Sequence, residues 1–342
     1  FISRLETLLT ATGRTLDEIT RTELLDWAIA LDQDRATDHE TGRPMPCPPV
    51  EARPQSLSVT QIETLLRNPY DIYARHILQL KKLDDIEQDA DAAERGTILH
   101  DVMEGFVQGF ADGLPPLPQD ARATLDTIAR ERFGERLAQP GIRAFWWPRY
   151  EAMADFVIKT AYEQQSDIHY SYAEFEGGVT FQLEDGSHFT LRGRADRIDL
   201  MRDNRYAVID YKTGQAPTAS QVEVGFASQL PLEALMLRQG AFHSQDKSVA
   251  LEPREVASLS YWQFGPRPEK CKITYVPKDI QLTDLLDEVE QNLHAMLNRY
   301  RTVDEPYIAR PYPQRMNDYS DYDHLARVPE WSLIGTDDGG GD

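Results

Sequence analysis

The chain has 342 residues, of which 41% are hydrophobic and 27% charged, and this ordinary globular composition argues against disorder or a collagen-like repeat. Its formal net charge of −21 disfavours a protein that wraps nucleic acid unaided, because phosphate binding needs clustered Lys and Arg. No apolar run reaches the roughly 18 residues that a membrane helix needs, so no membrane partner is expected.

Residues 1–35 are patterned as helix, with their apolar residues in two short stripes. Five prolines then fall between residues 36 and 57 and predict an extended linker. We therefore expect residues 1–54 to form a helical extension and a Pro-rich linker ahead of the main domain. Because the first residue is Phe1 rather than Met, we also expect the chain to be a piece of a longer protein.

Helical patterning resumes near Ser58, where Thr60 and Glu63 stand at capping-box spacing. Three more helices are predicted by the apolar periodicity, with a Pro-rich break after the first: 92–110, 121–137 and 148–165. The first half of the main domain is therefore predicted to be helical.

The pattern then changes from helix to strand. Apolar and polar residues alternate over 181–191 around a turn at 184–187, which predicts a hairpin, and the apolar run 206–211 predicts a strand buried on both faces. The remaining expected elements are a helix that begins after Ser228, strands over 256–264 and 272–276, and a helix over 282–300. We expect one mixed α/β domain over 55–330, followed by a disordered tail at 331–342.

Asp210 and Lys212 form the sharpest local motif. Alternate residues of a strand point to the same face, so the two side chains should lie side by side where the strand ends. A carboxylate can hold a hard cation, and a neighbouring ammonium can stabilise a water nucleophile or the charge on a phosphate. Taken alone, such a pair is more often a surface ion pair than a catalytic site.

Asp196 and Asp199 lie on the strand that precedes this motif. If that strand pairs with 206–211 through a turn at 202–205, Asp196 approaches Asp210. Two carboxylates beside one lysine are costly unless a cation joins them, so the arrangement favours a metal site. The alternative is that both aspartates pair with the neighbouring arginines along a solvated strand.

His100 and Glu104 lie one turn apart on the helix predicted over 92–110 and share a face of it. An imidazole would supplement a carboxylate metal site and suits Mn²⁺ as well as Mg²⁺. A single histidine on a half-apolar helix is more often structural. Gly96, one turn before His100, would allow a close approach of this helix to a neighbour.

Four segments follow one another in an order that resembles the RecB-like branch of the PD-(D/E)XK nucleases. They are Gly-Thr-x-x-His-x-x-x-Glu at 96–104, Gly-x-x-Asp-Arg-x-Asp at 193–199, Ile-Asp-Tyr-Lys-Thr-Gly at 209–214 and Gln-Leu-Pro-Leu at 229–232. The helix at Ser58 with the following Asn-Pro-Tyr, and the segment Tyr-Ser-Asp-Tyr-Asp-His near the C-terminus, are similar to the nuclease region of the AddB family. AddB proteins are subunits of bacterial helicase–nucleases that process double-strand breaks. The resemblance covers roughly residues 55–330.

This resemblance implies an α/β fold with a PD-(D/E)XK nuclease core, in which helices flank a central mixed sheet. The roles that it implies are metal ligation by His100, Asp196, Asp210 and the main-chain carbonyl of Tyr211, orientation of the attacking water by Lys212, and a position beside the scissile strand for Gln229. The implied cofactor is Mg²⁺, with Mn²⁺ as an alternative. Glu104 matches the motif but is not expected to be a ligand.

Two departures from the family matter. Many relatives hold an iron–sulfur cluster with one cysteine before the Pro-Tyr and three more near the C-terminus, but here Asn68 takes the first place. Cys47 and Cys271 cannot supply four ligands, so we expect no cluster, a domain closed by packing of its last helix and tail, and a reducing cytoplasm as location. Secondly, Glu233 stands where the family usually has a tyrosine, four residues after Gln229.

These observations predict a metal-dependent DNA nuclease domain that hydrolyses phosphodiester bonds of single-stranded DNA or of DNA ends. The expected setting is a bacterial helicase–nuclease complex that processes double-strand breaks for recombinational repair, with an AddA-like helicase subunit as partner. One alternative is a catalytically inactive subunit that binds DNA or a partner, and another is a standalone exonuclease or resolvase. No phosphate-binding loop is present in the sequence, which argues against ATP hydrolysis.

Overall fold

The structure is a computed structural model that describes residues 2–18, 23–32, 42–83, 92–109, 120–312 and 320–332. Its helices are α1 (Ile2–Ala11), α2 (Glu23–Asp32), α3 (Val59–Arg67), α4 (Pro69–Ile72), α5 (Ala92–Gln108), α6 (Ala121–Phe133), α7 (Pro140–Phe145), α8 (Trp147–Gln164), α9 (Ala219–Glu223), α10 (Gln229–Arg238), α11 (Leu282–Arg299) and α12 (Val328–Ser332). Its strands are β1 (Ser56–Ser58), β2 (Ile168–Gln182), β3 (His188–Met201), β4 (Tyr206–Lys212), β5 (Phe242–His243), β6 (Val256–Gln263) and β7 (Lys272–Val276). None of the described helices combines the length and the apolar character of a bilayer-spanning segment.

Two compact units make up the chain, one of residues 43–329 and the other of residues 1–42 with 330–342. The N-terminal unit contains α1 and α2 rather than one continuous helix. Gly13 has φ 73°, a left-handed conformation that ends α1, and the N–H of Arg14 then bonds back to the carbonyl of Leu9 at 2.9 Å. The tail predicted to be disordered falls, from residue 333 onward, outside the described residues.

Within the described residues, seven strands form one mixed sheet in the order β5-β2-β3-β4-β6-β7, with β1 added beside β3. The strands β2, β3 and β4 form an antiparallel meander, while β4 pairs parallel to β6 and β6 antiparallel to β7. Helices pack on both faces of this sheet, as the resemblance implied. The hairpin predicted over 181–191 is the closed end of β2 and β3.

The central strand β4 contributes to both hydrophobic cores. Val208 packs in the core that contains α3, α10 and α11, whereas Ile209 and Tyr211 pack in the core that contains α5 to α8. The prediction that this strand is buried on both faces is therefore confirmed. Because alternate residues share a face, Asp210 and Lys212 point to the side on which α10 lies.

Two local features differ from the prediction at the start of the large unit. The short strand β1 precedes α3 and pairs parallel to β3. Three residues are too few to show the alternating pattern by which a strand is predicted from sequence. The capping box of α3 joins Ser58 and Gln61, not Thr60 and Glu63: the Ser58 N–H donates to Gln61 Oε1 at 2.9 Å, and the Gln61 N–H donates to Ser58 Oγ at 3.2 Å. Helix α3 therefore starts at Val59.

From residue 43 onward the Pro-rich segment is part of the large unit, and before β1 its regular structure is one 3-10 turn at Val50–Ala52. The carbonyl of Pro46 accepts a hydrogen bond from the N–H of Tyr307 at 2.9 Å, and that of Pro44 accepts one from Ala309 at 3.1 Å. The buried guanidinium of Arg53 donates to the carbonyl of Tyr300 at 2.9 Å. The compact unit consequently begins at residue 43, and the domain limit between residues 54 and 55 stays a prediction.

Candidate metal and catalytic site

Helix α5 brings His100 to the end of β4. Gly96, one turn earlier, lies against Thr213, and a Cβ at Gly96 would approach Thr213 Oγ1 to 3.1 Å, so glycine permits this close packing. His100 Nδ1 lies 3.5 Å from Asp196 Oδ2. The imidazole side chain keeps 29% of its surface exposed, which leaves it reachable by a ligand from solvent.

Strands β3 and β4 separate at the point where the candidate residues lie. Their ladder ends at the pair Arg197 and Ile209, although both strands continue beyond it. The next residues are Asp196 and Asp210, and Asp196 Oδ2 accepts a hydrogen bond from the Tyr211 main-chain N–H at 2.8 Å. The strand pairing predicted from the sequence is confirmed and places the two aspartates next to each other, at the opening of the sheet.

The alternative of a solvated row of ion pairs fits neither aspartate. Asp199 does bind Arg197, with distances of 2.7 and 2.8 Å, but both residues are buried and Ser171 donates a further hydrogen bond to Asp199 at 2.6 Å. Arg194 pairs with Glu174 instead of Asp196. Asp196 is thus left facing His100.

Glu174 is a site residue that the sequence reasoning missed. One ligand atom each of Glu174, Asp196 and His100 lies within 4.8 Å of the others, a spacing that one metal ion can bridge. Glu174 interrupts the β2–β3 ladder between the pairs formed by its two neighbours and has φ 56°. The ladder is broken at this position without a shift in register, and the distorted backbone presents a carboxylate to the site.

The predicted hairpin contained a signal for Glu174. Gln182 pairs with His188 across the turn, and counting outward along both strands reaches Glu174 opposite Asp196. The signal was missed because the alternation that marks β2 is clear only near the turn. Farther back, apolar and polar residues no longer alternate regularly, and two successive glycines, Gly177 and Gly178, obscure the strand pattern.

Asp210, Lys212 and Gln229 form a second group beside these donors. Lys212 Nζ donates to Asp210 Oδ1 at 2.9 Å and to Gln229 Oε1 at 3.3 Å. Asp210 is only 2% exposed, and its Oδ2 receives no hydrogen bond of good geometry within the described residues, although Lys212 Nζ lies 2.8 Å away. Asp210 does not belong to the close donor group of Glu174, Asp196 and His100.

The charges of the site are strongly coupled. Burial, reinforced by the Asp196 carboxylate, raises the pKa of Glu174 to about 7, and burial raises that of Asp210 to about 6 despite the neighbouring Lys212. Burial would lower the pKa of His100, but the Asp196 carboxylate raises it above its usual value. Each shift reflects negative charge concentrated in a poorly hydrated place, which a divalent cation would neutralise.

These residues fit a divalent metal. One imidazole nitrogen and two carboxylate oxygens converge, a donor set that suits Mg²⁺ or Mn²⁺, and the Asp210 carboxylate, ion-paired with Lys212, lies on the neighbouring strand. The Tyr211 ring is buried in the core, so only its main chain could take part, and ligation by its carbonyl stays a prediction. Glu104 accepts a hydrogen bond from Gln108 at 3.0 Å and lies outside the donor group.

Comparison with known proteins identifies the domain. A model of the PD-(D/E)XK nuclease superfamily matches residues 56–316. An uncharacterised protein of Rickettsia conorii is 28% identical over 290 residues, which are 80% of this chain and 34% of that protein. An ATP-dependent helicase/deoxyribonuclease subunit of Streptococcus pyogenes serotype M49 is 25% identical over 264 residues, 74% of this chain and 23% of the streptococcal protein. The chain thus spans about a third or less of these relatives.

Among solved structures, one described as a candidate exonuclease of Eubacterium rectale aligns with 81% of this chain and 94% of its own, with a TM-score of 0.40 and 11% identity. The superfamily match itself runs from β1 to beyond α11 and includes every element that carries the site. The mixed sheet with helices on both faces is the fold that the sequence motifs implied. The chain belongs to the PD-(D/E)XK nuclease superfamily.

Proposed function

We propose that this chain is a metal-dependent DNA nuclease domain. The observation that carries the proposal is the meeting of Glu174, Asp196 and His100 beside the Asp210–Lys212 pair, at the edge where β3 and β4 separate. Burial raises the pKa of both Glu174 and Asp210, and a divalent cation would offset the cost of holding these carboxylates together in a buried place.

The metal would be held by His100, Glu174, Asp196 and Asp210, with the Tyr211 carbonyl as the ligand that the family resemblance adds. When bound, Mg²⁺ or Mn²⁺ supplies polarisation of phosphate oxygens and a water of lowered pKa. The protein side chains fix the geometry that this chemistry needs, because they project from adjoining strands and one helix rather than from loops.

Lys212 has the electrostatic role in this proposal. Its ammonium is held by Asp210 and Gln229, so it can stabilise the negative charge that builds up on the phosphate oxygens and orient the attacking water. Burial would lower its pKa, but Asp210 raises the pKa of Lys212 above the usual value, so the group stays cationic at neutral pH. Gln229 stands beside the scissile strand.

The proposed setting is a helicase–nuclease complex that processes double-strand break ends for recombinational repair. The similarity to the streptococcal helicase/deoxyribonuclease protein supports this setting, and an AddA-like helicase subunit is the proposed partner. A chain with a net charge of −21 captures DNA poorly by itself, and a motor that threads a single strand into the site would supply the missing local concentration.

The test is cleavage of an end-labelled single-stranded DNA in Mg²⁺ or Mn²⁺, compared with EDTA. The parent chain should cut only with metal, and Asp196→Asn and Asp210→Asn should abolish cutting. Asp203→Asn is the matched control, because Asp203 lies in the exposed turn between the same two strands and pairs only with Arg205 among the described residues. Metal-independent cutting, or cutting that survives Asp210→Asn, would contradict the proposal, and DNA binding without cutting would favour an inactive subunit.

A further inference from the structure

Glu233 is a buried carboxyl group that the proposed mechanism does not use. It lies in α10, one turn after Gln229, and its side chain is 0% exposed. Its Oε1 accepts a hydrogen bond from Gln229 Nε2 at 3.2 Å, while its Oε2 is buried and has no hydrogen-bond partner within the described residues. Such a group is costly to bury, and an apolar residue at this position would avoid the cost.

The contacts of Gln229 give this carboxyl a function. A carboxamide has a donor end and an acceptor end, and an ammonium can only donate. Lys212 Nζ therefore requires the Gln229 oxygen on its side, at 3.3 Å, and Glu233 requires the nitrogen on the other side. Together they leave one orientation of the Gln229 carboxamide.

The hydrogen bond from Gln229 does not itself require a charged Glu233. Burial raises the pKa of Glu233 well above its usual value, and the carboxylates of Asp210 and Asp196 raise it further. In the neutral form the carboxyl group keeps a carbonyl oxygen that accepts the same hydrogen bond from Gln229. Glu233 thus has an oxygen that can accept the Gln229 hydrogen bond in either protonation state.

The anchor matters because Lys212 is a flexible side chain. An ammonium on a four-carbon stem can occupy several places, and catalytic stabilisation requires that it occupy one. Asp210 holds it from the strand, and Gln229 holds it from helix α10. Without Glu233 the Gln229 carboxamide is free to rotate and to present its nitrogen, which repels Lys212.

We propose that Glu233 is a positioning residue that acts through Gln229 to hold Lys212 at the reacting phosphate. The inference rests on the proposed nuclease function. Glu233 would have this role at a position where the family usually has a tyrosine. Glu233 touches neither metal nor substrate in this proposal, so its substitution should change the rate of cleavage rather than the binding of metal or DNA.

The first test compares Glu233→Met, which removes the acceptor at similar volume, with Glu233→Gln, which keeps it. We expect Glu233→Met to lower kcat by about 10- to 100-fold, as for other supporting hydrogen-bond partners, with unchanged KM and metal affinity. Its Tm should stay level or rise, because an unpaired buried carboxyl is lost. Glu233→Gln should recover most of the rate. Leu237→Met, one turn farther along α10 and also buried, controls for core packing and should not change kcat.

Two further comparisons separate positioning from a structural role. In a Gln229→Ala background, Glu233→Met should cause no further loss, whereas independent multiplication of the two effects would overturn the proposal. Exchanging the pair as Gln229→Glu with Glu233→Gln rebuilds the same hydrogen bond in reverse, so it should cut faster than Gln229→Glu alone. A loss of kcat matched by a loss of Tm in every variant would also overturn it.

A readout without catalysis distinguishes failure of this inference from failure of the nuclease function. In ¹⁵N spectra of the whole chain, the side-chain amide signals of Gln229, identified by their loss in Gln229→Ala, should shift in Glu233→Met and not in Glu233→Gln. Unshifted signals in Glu233→Met would refute the positioning role, even if the parent chain cuts DNA. A parent chain that never cuts would refute the nuclease function, while the predicted shift would still support the contact.

Discussion

Glu174 faces Asp196 across the β2–β3 hairpin, from a backbone position with φ 56°, and their carboxylates share one group of close donor atoms with His100. Side-by-side carboxylates repel each other, so a proton or a cation between them would stabilise the arrangement. The register of the hairpin brings the two residues together, because Glu174 stands opposite Asp196 between two regular pairs, and opposite residues of antiparallel strands point to the same face.

The first prediction concerns metal binding by Glu174. Glu174→Gln should reduce the rise in Tm that Mg²⁺ or Mn²⁺ gives the parent chain, because binding to the native state stabilises it in proportion to affinity. A direct ligand should matter at least as much as an outer hydrogen-bond partner, so we expect a loss in metal affinity of about 10-fold or more. Glu176→Gln, an exposed change on the same strand, is the control. Equal Tm rises in both variants would show that Glu174 does not bind the metal.

The second prediction concerns pH in the absence of metal. His100, Glu174 and Asp210 all have raised pKa values, so each binds its proton more readily in the folded chain than in the unfolded chain. Their contribution to stability is complete below the unfolded pKa values and is lost as the pH rises, through about 6 for Asp210 and about 7 for Glu174. The Tm in EDTA should therefore fall with rising pH across this window.

Metal should reverse this trend, since the ligands must lose their protons to bind it. The Tm rise caused by Mg²⁺ should grow with pH over the same window. Glu174→Gln should flatten the pH dependence measured in EDTA, and Glu176→Gln should leave it as in the parent. If Tm in EDTA falls equally steeply with pH in the Glu174→Gln variant, protonation of the Glu174 carboxyl is not coupled to folding.

The third prediction concerns Lys212. Lys212→Ala should leave metal affinity intact or slightly higher, because a positive charge beside the site is lost. Cleavage should nevertheless fall by about 10²- to 10³-fold, the usual loss when one preorganised electrostatic partner of the transition state is removed. Lys272→Ala, an exposed change at the start of β7, serves as the control. Normal cutting by Lys212→Ala would show that Lys212 does not contribute to cleavage.

The sequence predicted those parts of the site that depend on local pattern and nearest pairing. The turn at 184–187 and the apolar run of β4 sufficed to place Asp196 beside Asp210. Glu174 was missed because its place opposite Asp196 depends on a register carried along the whole hairpin. The contact between Glu233 and Lys212 through Gln229 depends on how α10 packs on β4, which no spacing within the chain reveals.

Polar contacts also join distant parts of the large unit, whose closure by packing of the last helix and tail stays a prediction. Asn68 Nδ2 donates to Asp71 at 2.7 Å, and Asn68 Oδ1 accepts from the Arg310 N–H at 2.8 Å. Ser320 Oγ donates to the same Asp71 oxygen at 2.8 Å. This polar network joins the α3–α4 junction to the C-terminal segments of the unit.

The fourth prediction follows from this network. Asn68 is buried, so Asn68→Ala leaves the Arg310 N–H and the Asp71 carboxylate short of partners and should lower the free energy of unfolding by about 1–3 kcal/mol. Asp321→Asn is the control, because its ion pair with Lys82 is half-exposed and 3.6 Å long and should be worth less than about 1 kcal/mol. Urea unfolding measures both. Equal stability of the two variants would show that packing alone closes the unit.

The last prediction concerns DNA affinity. With a net charge of −21, the chain should repel DNA at long range, and the basic stretch from Arg192 to Lys212 can offset this only locally. Single-strand binding measured in EDTA should be weak, with a shallow dependence on salt that reflects few phosphate contacts. Arg192→Gln should reduce the slope of log K against log salt by about 0.7, the value for one contact to a single strand, whereas the exposed Arg143→Gln on α7 should not change it. Tight binding with a steep slope would reveal a larger basic groove and would favour a standalone nuclease over a domain fed by a helicase.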